Sequence, residues 1–370
     1  MTKKHVIRLV AFILAACCTL VLLSDLFEQE NTNHISLRYT AFHELNKNTL
    51  DAVFIGTSGV DRYWIGAKAY EEYGMTVYPL ASDGMPAWLF VNQIKYICSR
   101  QDPKLIIVDA RPFGQAPTRA SKMEVQARRV LDAMPFFSVR YLEAAFTAMK
   151  VIQTEHPEED FFKISYLLPF VKYHTKWEED DYSIHANLSP DAHEYGGFLM
   201  SPSLSIRQKP HKGIVYDTTL TKELGGIYQD ALYDLLAYAK EKDLQLLFVD
   251  TPQQKDEHQV STANTIGKIL AEEGVPYLNY CLTDDQANFS LIPELDRKTD
   301  FYNSGHVNYY GAEKFTAHLA KYLDENYDFE DHRQEAKAKE DWDGMYDRIK
   351  KTVEKFELDA AKKAAEKEAQ

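Results

Sequence analysis

The sequence predicts an α/β protein, on two observations. Short runs that are apolar throughout recur along the chain, and amphipathic stretches of helical period separate them. Five runs read as strands: Ala52–Ile55, Thr76–Ala81, Leu105–Val108, Leu244–Val249 and Pro276–Tyr280. None alternates with polar residues, as expected of strands buried on both faces of a parallel sheet. Helices are expected over Ala67–Tyr73, Ala87–Ser99, Ile227–Lys242 and Ala263–Glu273. Gly74 and Gly274 stand where a left-handed residue ends a helix. The order is β-α-β-α-β, an interruption, then α-β-α-β-α.

The interruption, residues 112–224, is too long for an ordinary βα connection and has its own helical pattern around Phe136–Ile152, so it reads as an insertion. Its aromatic stretch (Phe161, Phe162, Tyr166, Phe170, Tyr173, Trp177) reads as a subsidiary core, with a cap over a cleft as the alternative. The α/β domain is expected over 49–327 and a charged helical tail over 328–370. Within the tail, Trp342, Tyr346, Ile349, Val353 and Phe356 form a stripe at i+3 and i+4 spacing that docks on the domain or a partner. Beyond Asp359 there is no apolar face, and fraying is expected.

At the other end, Lys3, Lys4, His5 and Arg8 lead into the uncharged run Leu9–Leu23. As a helix, Val6–Ser24 spans roughly 28 Å, close to a bilayer's hydrocarbon thickness. Positive charge before the run, with Asp25, Glu28 and Glu30 after it, places the N-terminus in the cytoplasm and the body outside. Residues 1–27 thus read as a cytoplasmic stub with a transmembrane anchor, and 28–48 as a polar linker. Two other readings are a cleaved signal peptide and a lipobox, Leu14-Ala15-Ala16-Cys17, with a lipid on Cys17.

A formal charge of −14 argues against nucleic acid, and any anionic ligand requires local basic groups. Outside the anchor only Cys98 and Cys281 remain; Cys98 lies on an apolar helical pattern and reads as a buried thiol. No metal and no cofactor is expected.

Three segments fall where an open α/β sheet builds its sites, beyond the carboxyl ends of the strands. Strand Ala52–Ile55 ends in Gly56-Thr57-Ser58-Gly59, where a tight turn can project the serine hydroxyl and free backbone N–H groups for an oxyanion. The same serine also suits a helix N-cap. YPLASDG follows the second strand and ends at Gly84, whose missing side chain lets a backbone amide approach a ligand. The third segment, DFYNSGHVNYYGAEKF, holds His306 on the loop before a helix expected from Ala312 to Asn326, a position fit for a general base. His318 reads as an ordinary surface residue.

Together, GTSG, YPLASDG and DFYNSGHVN resemble the SGNH/GDSL hydrolase superfamily. More narrowly, with "DPKLIIVDARPF" and the anchor, the chain looks like the membrane-anchored Gram-positive branch similar to DltD and the alginate O-acetylation proteins. The resemblance implies a three-layer flavodoxin-like fold and acyl transfer or ester hydrolysis on a cell-envelope or secreted polysaccharide. A membrane-bound O-acyltransferase is the partner it implies. Ser58 is then the nucleophile, His306 the base, and Gly84 with the amide of Ser58 or Gly59 part of the oxyanion hole. Three departures stand out. Asn303 occupies the place of the usual aspartate, three residues before the histidine, with Asp300 as a substitute. Gly59 stands where this branch often has a histidine. The usual asparagine block after the third strand is missing, and Asp109 or Arg111 holds that region as a substrate-binding candidate. Asn303 and Gly59 also fit a non-catalytic member that binds polysaccharide or scaffolds an envelope complex.

Overall fold

The computed structural model describes residues 2–26, 34–136, 138–160, 163–168, 170–173, 194–200, 204–207, 209 and 214–368. The described chain forms α1 (Lys3–Leu26), α2 (His34–Glu44), β1 (Ala52–Gly56), α3 (Ser58–Asp61), α4 (Gly66–Tyr73), β2 (Val77–Ala81), α5 (Phe90–Cys98) and β3 (Leu105–Asp109). It continues with α6 (Ala120–Leu131), α7 (Val139–Glu155), α8 (Gly226–Lys242), β4 (Gln245–Asp250), α9 (Glu257–Glu272), β5 (Tyr277–Asn279), α10 (Tyr309–Asn326), α11 (Ala336–Trp342) and α12 (Met345–Glu368). The five strands pair in parallel in the order β2-β1-β3-β4-β5. That doubly wound order reverses direction at β1 and β3, so the loops after these two strands diverge and open a crevice between them.

Alternate strand residues feed two cores. Val53, Ile55, Leu80, Ile106, Val108 and Phe248 face the layer containing α5, α7 and α8. Ala52, Phe54, Val77, Leu105, Ile107 and Val249 face α4, α10 and α12. The five expected strands are all present, within two residues at each end. Helix starts shifted where caps decide them. α9 begins at Glu257, not Ala263, because Asp256 and Gln259 form a capping box. α10 begins at Tyr309 because the Asn308 side chain accepts the Gly311 N–H. Gly74 ends α4 at φ 78°, as expected.

The expected linker is corrected. Residues 34–44 form α2 and bury Ile35, Leu37, Tyr39 and Phe42 against the domain. Arg38 goes down with them. Its Nε donates to Gly197 O, its Nη1 to Ala81 O (both 2.8 Å), and its Nη2 lies 2.7 Å from the Asp61 carboxylate, both side chains being fully buried. One guanidinium thereby ties α2 to β2, to the loop at Gly197 and to α3.

α1 is one continuous helix with exposed Ile7, Phe12 and Leu14. The transmembrane helix expected over 6–24 is not established by it: among the described residues, no helix is long and apolar enough to cross a membrane. Cys98 is exposed at the end of α5 rather than buried, and all four cysteines are free. His318 is half-buried, with Nδ1 3.0 Å from the Tyr280 hydroxyl. Of the aromatic stretch in the insertion, Tyr166 is fully buried; the side chains of Phe161, Phe162, Phe170, Tyr173 and Trp177 lie outside the described residues.

The tail stripe docks on the protein's own domain. Trp342 is 1% exposed and stacks on Tyr70 at 6.0 Å, and Ile349 and Val353 join the second core. Beyond Asp359 α12 stays helical to Glu368 with its described side chains exposed, where fraying was expected. Trp342→Ala is therefore expected to lower unfolding stability by about 3–5 kcal/mol. Leu358→Ala, at an exposed position of α12, should stay within about 0.5 kcal/mol of wild type. Urea unfolding of both variants tests whether the tail is part of the folded unit.

Candidate active site

β1 ends at Gly56 with φ 153°, where a Cβ would come within 2.2 Å of the Asp109 Cβ. Only glycine allows the end of β1 to lie this close to β3. The next residue, Thr57, donates its N–H (3.1 Å) and hydroxyl (2.5 Å) to Asp109 Oδ2, so the turn is pinned to the end of β3. Ser58 then opens α3 at the crevice.

Ser58 Oγ lies 2.7 Å from His306 Nε2. On the far side of the ring, Nδ1 lies 3.0 Å from Asn303 Oδ1, an oxygen that also accepts the Gly305 N–H at 2.8 Å. The Gly305 N–H fixes the amide with its oxygen toward the ring. Nδ1 therefore carries the proton and Nε2 is left to accept the serine hydroxyl. Tyr302 stacks on the imidazole with centroids 5.6 Å apart, and Arg62 lies over the Tyr302 ring. The loop is closed behind them by Asn308 N–H to Asp300 O (2.9 Å) and the bridge between Phe301 and Val307.

Of the remaining expected site residues, Asp300 is corrected. Its carboxylate takes Lys314 Nζ (2.6 Å) and the Asp296 N–H (2.7 Å), which anchors the loop to α10 and leaves ring orientation to Asn303. Asp109 is fully buried and cannot touch substrate; besides Thr57 it accepts the Arg111 N–H and Nε–H, each at 3.1 Å. Arg111 does reach the cleft. Its Nη2 donates to Thr57 Oγ1 at 2.8 Å, and its guanidinium lies over Gly59 so closely that a Cβ there would fall 1.2 Å from Nη2. A side chain after the serine is thereby excluded, since the space belongs to Arg111. The Gly59 N–H faces Thr57 Oγ1 at 3.4 Å, so it is not aimed at a ligand as expected. Gly84, at φ 67°, lines the same cleft as Ser58, and Arg129 holds its turn through Asp83 O at 2.9 Å.

The cleft has a volume of about 650 Å³ and runs from Ser58 and Arg111 past Gln126, Gln253 and Gln259 toward α9. Within it the base is weak. Burial, then the Arg111 and Arg62 cations, push the His306 imidazole down to about 3, so it is neutral at physiological pH but gains a proton with difficulty. Asn303 supplies no opposing charge. Sequence reasoning missed Thr57, Arg62 and Tyr302 as parts of the site. Thr57 was signalled by its place in GTSG; nothing local marked the other two.

The sign of the pH dependence follows. A lowered pKa keeps the basic form present as pH falls, so Ser58-dependent turnover should stay level from pH 7 to about 5 and decline only toward about 3. Asn303→Asp places a carboxylate against the ring and should move that acid limb upward by at least one pH unit; pH–rate profiles of both proteins check this. The unfolded chain binds this proton near 6.5 and the native chain does not. Native stability should therefore fall with decreasing pH through that window, by about 1.4 kcal/mol per unit from this group.

No family model matches this chain, and no curated protein matches it.

Proposed function

We propose that the protein is an extracytoplasmic serine acyltransferase or esterase, tethered to the membrane by α1, that acts on O-acyl groups of a cell-envelope or secreted polysaccharide. The observation that carries the reading is the relay Ser58 Oγ–His306 Nε2 (2.7 Å) and His306 Nδ1–Asn303 Oδ1 (3.0 Å) at the carboxyl ends of a parallel sheet. It has the form of a nucleophile, a base and a group that orients the base. In the proposed reaction Ser58 attacks the acyl carbonyl, His306 takes the serine proton and returns it to the departing oxygen, and the acyl group rests on Ser58. A sugar hydroxyl or water then completes the transfer. Support for an SGNH-type, flavodoxin-like fold comes from the strand order and from serine and histidine loops on one edge of the sheet. The glutamine-lined cleft suits a hydroxyl-rich ligand. An anchor is supported by the exposed apolar residues around α1, which lipid would cover. A membrane-bound O-acyltransferase is the proposed acyl donor.

An active-site-directed fluorophosphonate should label the full chain in detergent, and Ser58→Ala should abolish the label. Equal labelling of the two proteins would rule out the serine mechanism.

Asn303 and the depressed basicity of His306 favour a second reading, a non-catalytic SGNH-type protein that binds polysaccharide or scaffolds an acylation complex. In a deletion strain, Ser58→Ala should fail to restore acyl groups on the envelope polysaccharide if chemistry at Ser58 is the function. Full restoration by that variant would favour the scaffold.

A further inference from the structure

We infer that Arg111 is the cationic arm of the oxyanion site: its guanidinium, laid over Gly59 beside Ser58, holds the negative oxygen that forms when Ser58 attacks an acyl carbonyl. The inference rests on the acyl-transfer reading above and assigns within it a residue that binds the reacting oxygen.

The guanidinium adds a charged donor at this spot, beside the backbone amides of Ser58 and Gly84. Thr57 N–H is committed to Asp109, and Gly59 N–H faces Thr57 Oγ1. The guanidinium fills the volume a side chain at Gly59 would take, with a Cβ there only 1.9 Å from its Cζ. It is held on three sides: Nε on Asp109 Oδ1 (3.1 Å), Nη2 on Thr57 Oγ1 (2.8 Å) and Nη1 on Gln253 Oε1 (3.4 Å). Of the five guanidinium hydrogens, these contacts and the 3.3 Å approach of Nη2 to Asp109 Oδ2 engage four. The remaining Nη1–H has no acceptor among the described residues, and Arg111 lines the cleft together with Ser58. The side chain is 12% exposed, so its charge acts with little screening by solvent. Its partner does not cancel it at the base: His306 feels the Arg111 cation more strongly than the Asp109 anion.

In the step itself, the bond from Ser58 Oγ to the carbonyl carbon forms, the serine proton passes to His306 Nε2, and the carbonyl π electrons move onto the oxygen beside Arg111. When the tetrahedral species collapses, that pair returns, the ester C–O bond breaks, and the alkoxide leaves with the proton from His306. The charge of Arg111 acts with opposite signs on the two halves of this step. It weakens His306 as a base and stabilises the oxyanion. Removing it therefore strengthens the base and strips the oxyanion of its partner, and the two effects can be read separately.

The test uses the full chain in detergent and phenylboronic acid, which accepts the Ser58 oxygen to give a tetrahedral boronate anion without turnover. Arg111→Gln combined with Asp109→Asn removes both charges of the pair, so no buried charge is orphaned. Ser58-dependent boronate binding should weaken about 10²- to 10³-fold in that variant. The His306 titration, followed by NMR, should at the same time rise but stay below the 6.5 of the unfolded chain, because burial and the Arg62 cation still act on it in a folded site. Arg111→Lys should recover part of the affinity, and Gly59→Ala, which displaces the guanidinium, should lose it. Boronate binding that is unchanged or tighter in the double variant overturns the inference and leaves the acyl-transfer reading in place. Wild-type protein that forms no adduct beyond that of Ser58→Ala overturns both.

Discussion

The site hangs on one buried carboxylate. Asp109 ends β3 with no exposed surface, where an ionised side chain is costly unless its lone pairs are filled. Thr57 N–H, Thr57 hydroxyl, Arg111 N–H and Arg111 Nε–H fill them. Burial alone would raise its pKa; the Arg111 cation and the Thr57 donors outweigh that and hold it below the usual carboxylate range. The anion so held clamps the turn after β1 to the end of β3, and both glycines of the turn follow from it. Gly56 is needed because Asp109 approaches the backbone there, and Gly59 because the arginine paired with Asp109 lies across it.

The same pair determines the charge around the nucleophile. A carboxylate behind a histidine would stabilise its imidazolium; here a neutral amide stands in that place and two arginines stand nearby. In the reaction proposed above, the positive charge sits on the side where negative charge develops on the acyl group. Stabilisation is thus moved from the proton acceptor toward the electrophile, which preserves the orientation of the imidazole while reducing its basicity.

Much of this was legible in the sequence, for identifiable reasons. The five strands are predominantly apolar because helices cover both faces, so pattern alone located them. Ser58 and His306 were brought together by the rule that loops after parallel strands share one edge. The choice between Asp300 and Asn303 was not legible. It depends on the compact loop over 300–308, in which Asn303 meets the ring while Asp300 turns back to Lys314. Arg38 and α2 were hidden for a different reason. A buried arginine looks like a surface residue until its acceptors, two carbonyls and a carboxylate from distant segments, are known. The tail stripe was visible, but which surface it covers depends on the groove beside Tyr70 and Tyr78, a tertiary feature.

Arg38 has a consequence for the order in which the molecule can assemble. It lies early in the chain, yet Ala81 O is 43 residues away and Gly197 O 159 residues away. During synthesis its guanidinium must stay solvated until more than half of the protein has emerged, because burying it sooner would leave the charge without partners. Contacts of such sequence separation form slowly and late. The support beneath α3, and with it the final placing of Ser58, is therefore among the last parts of the fold to close. Until then the nascent chain carries Ser58 without the groups that surround it in the folded site.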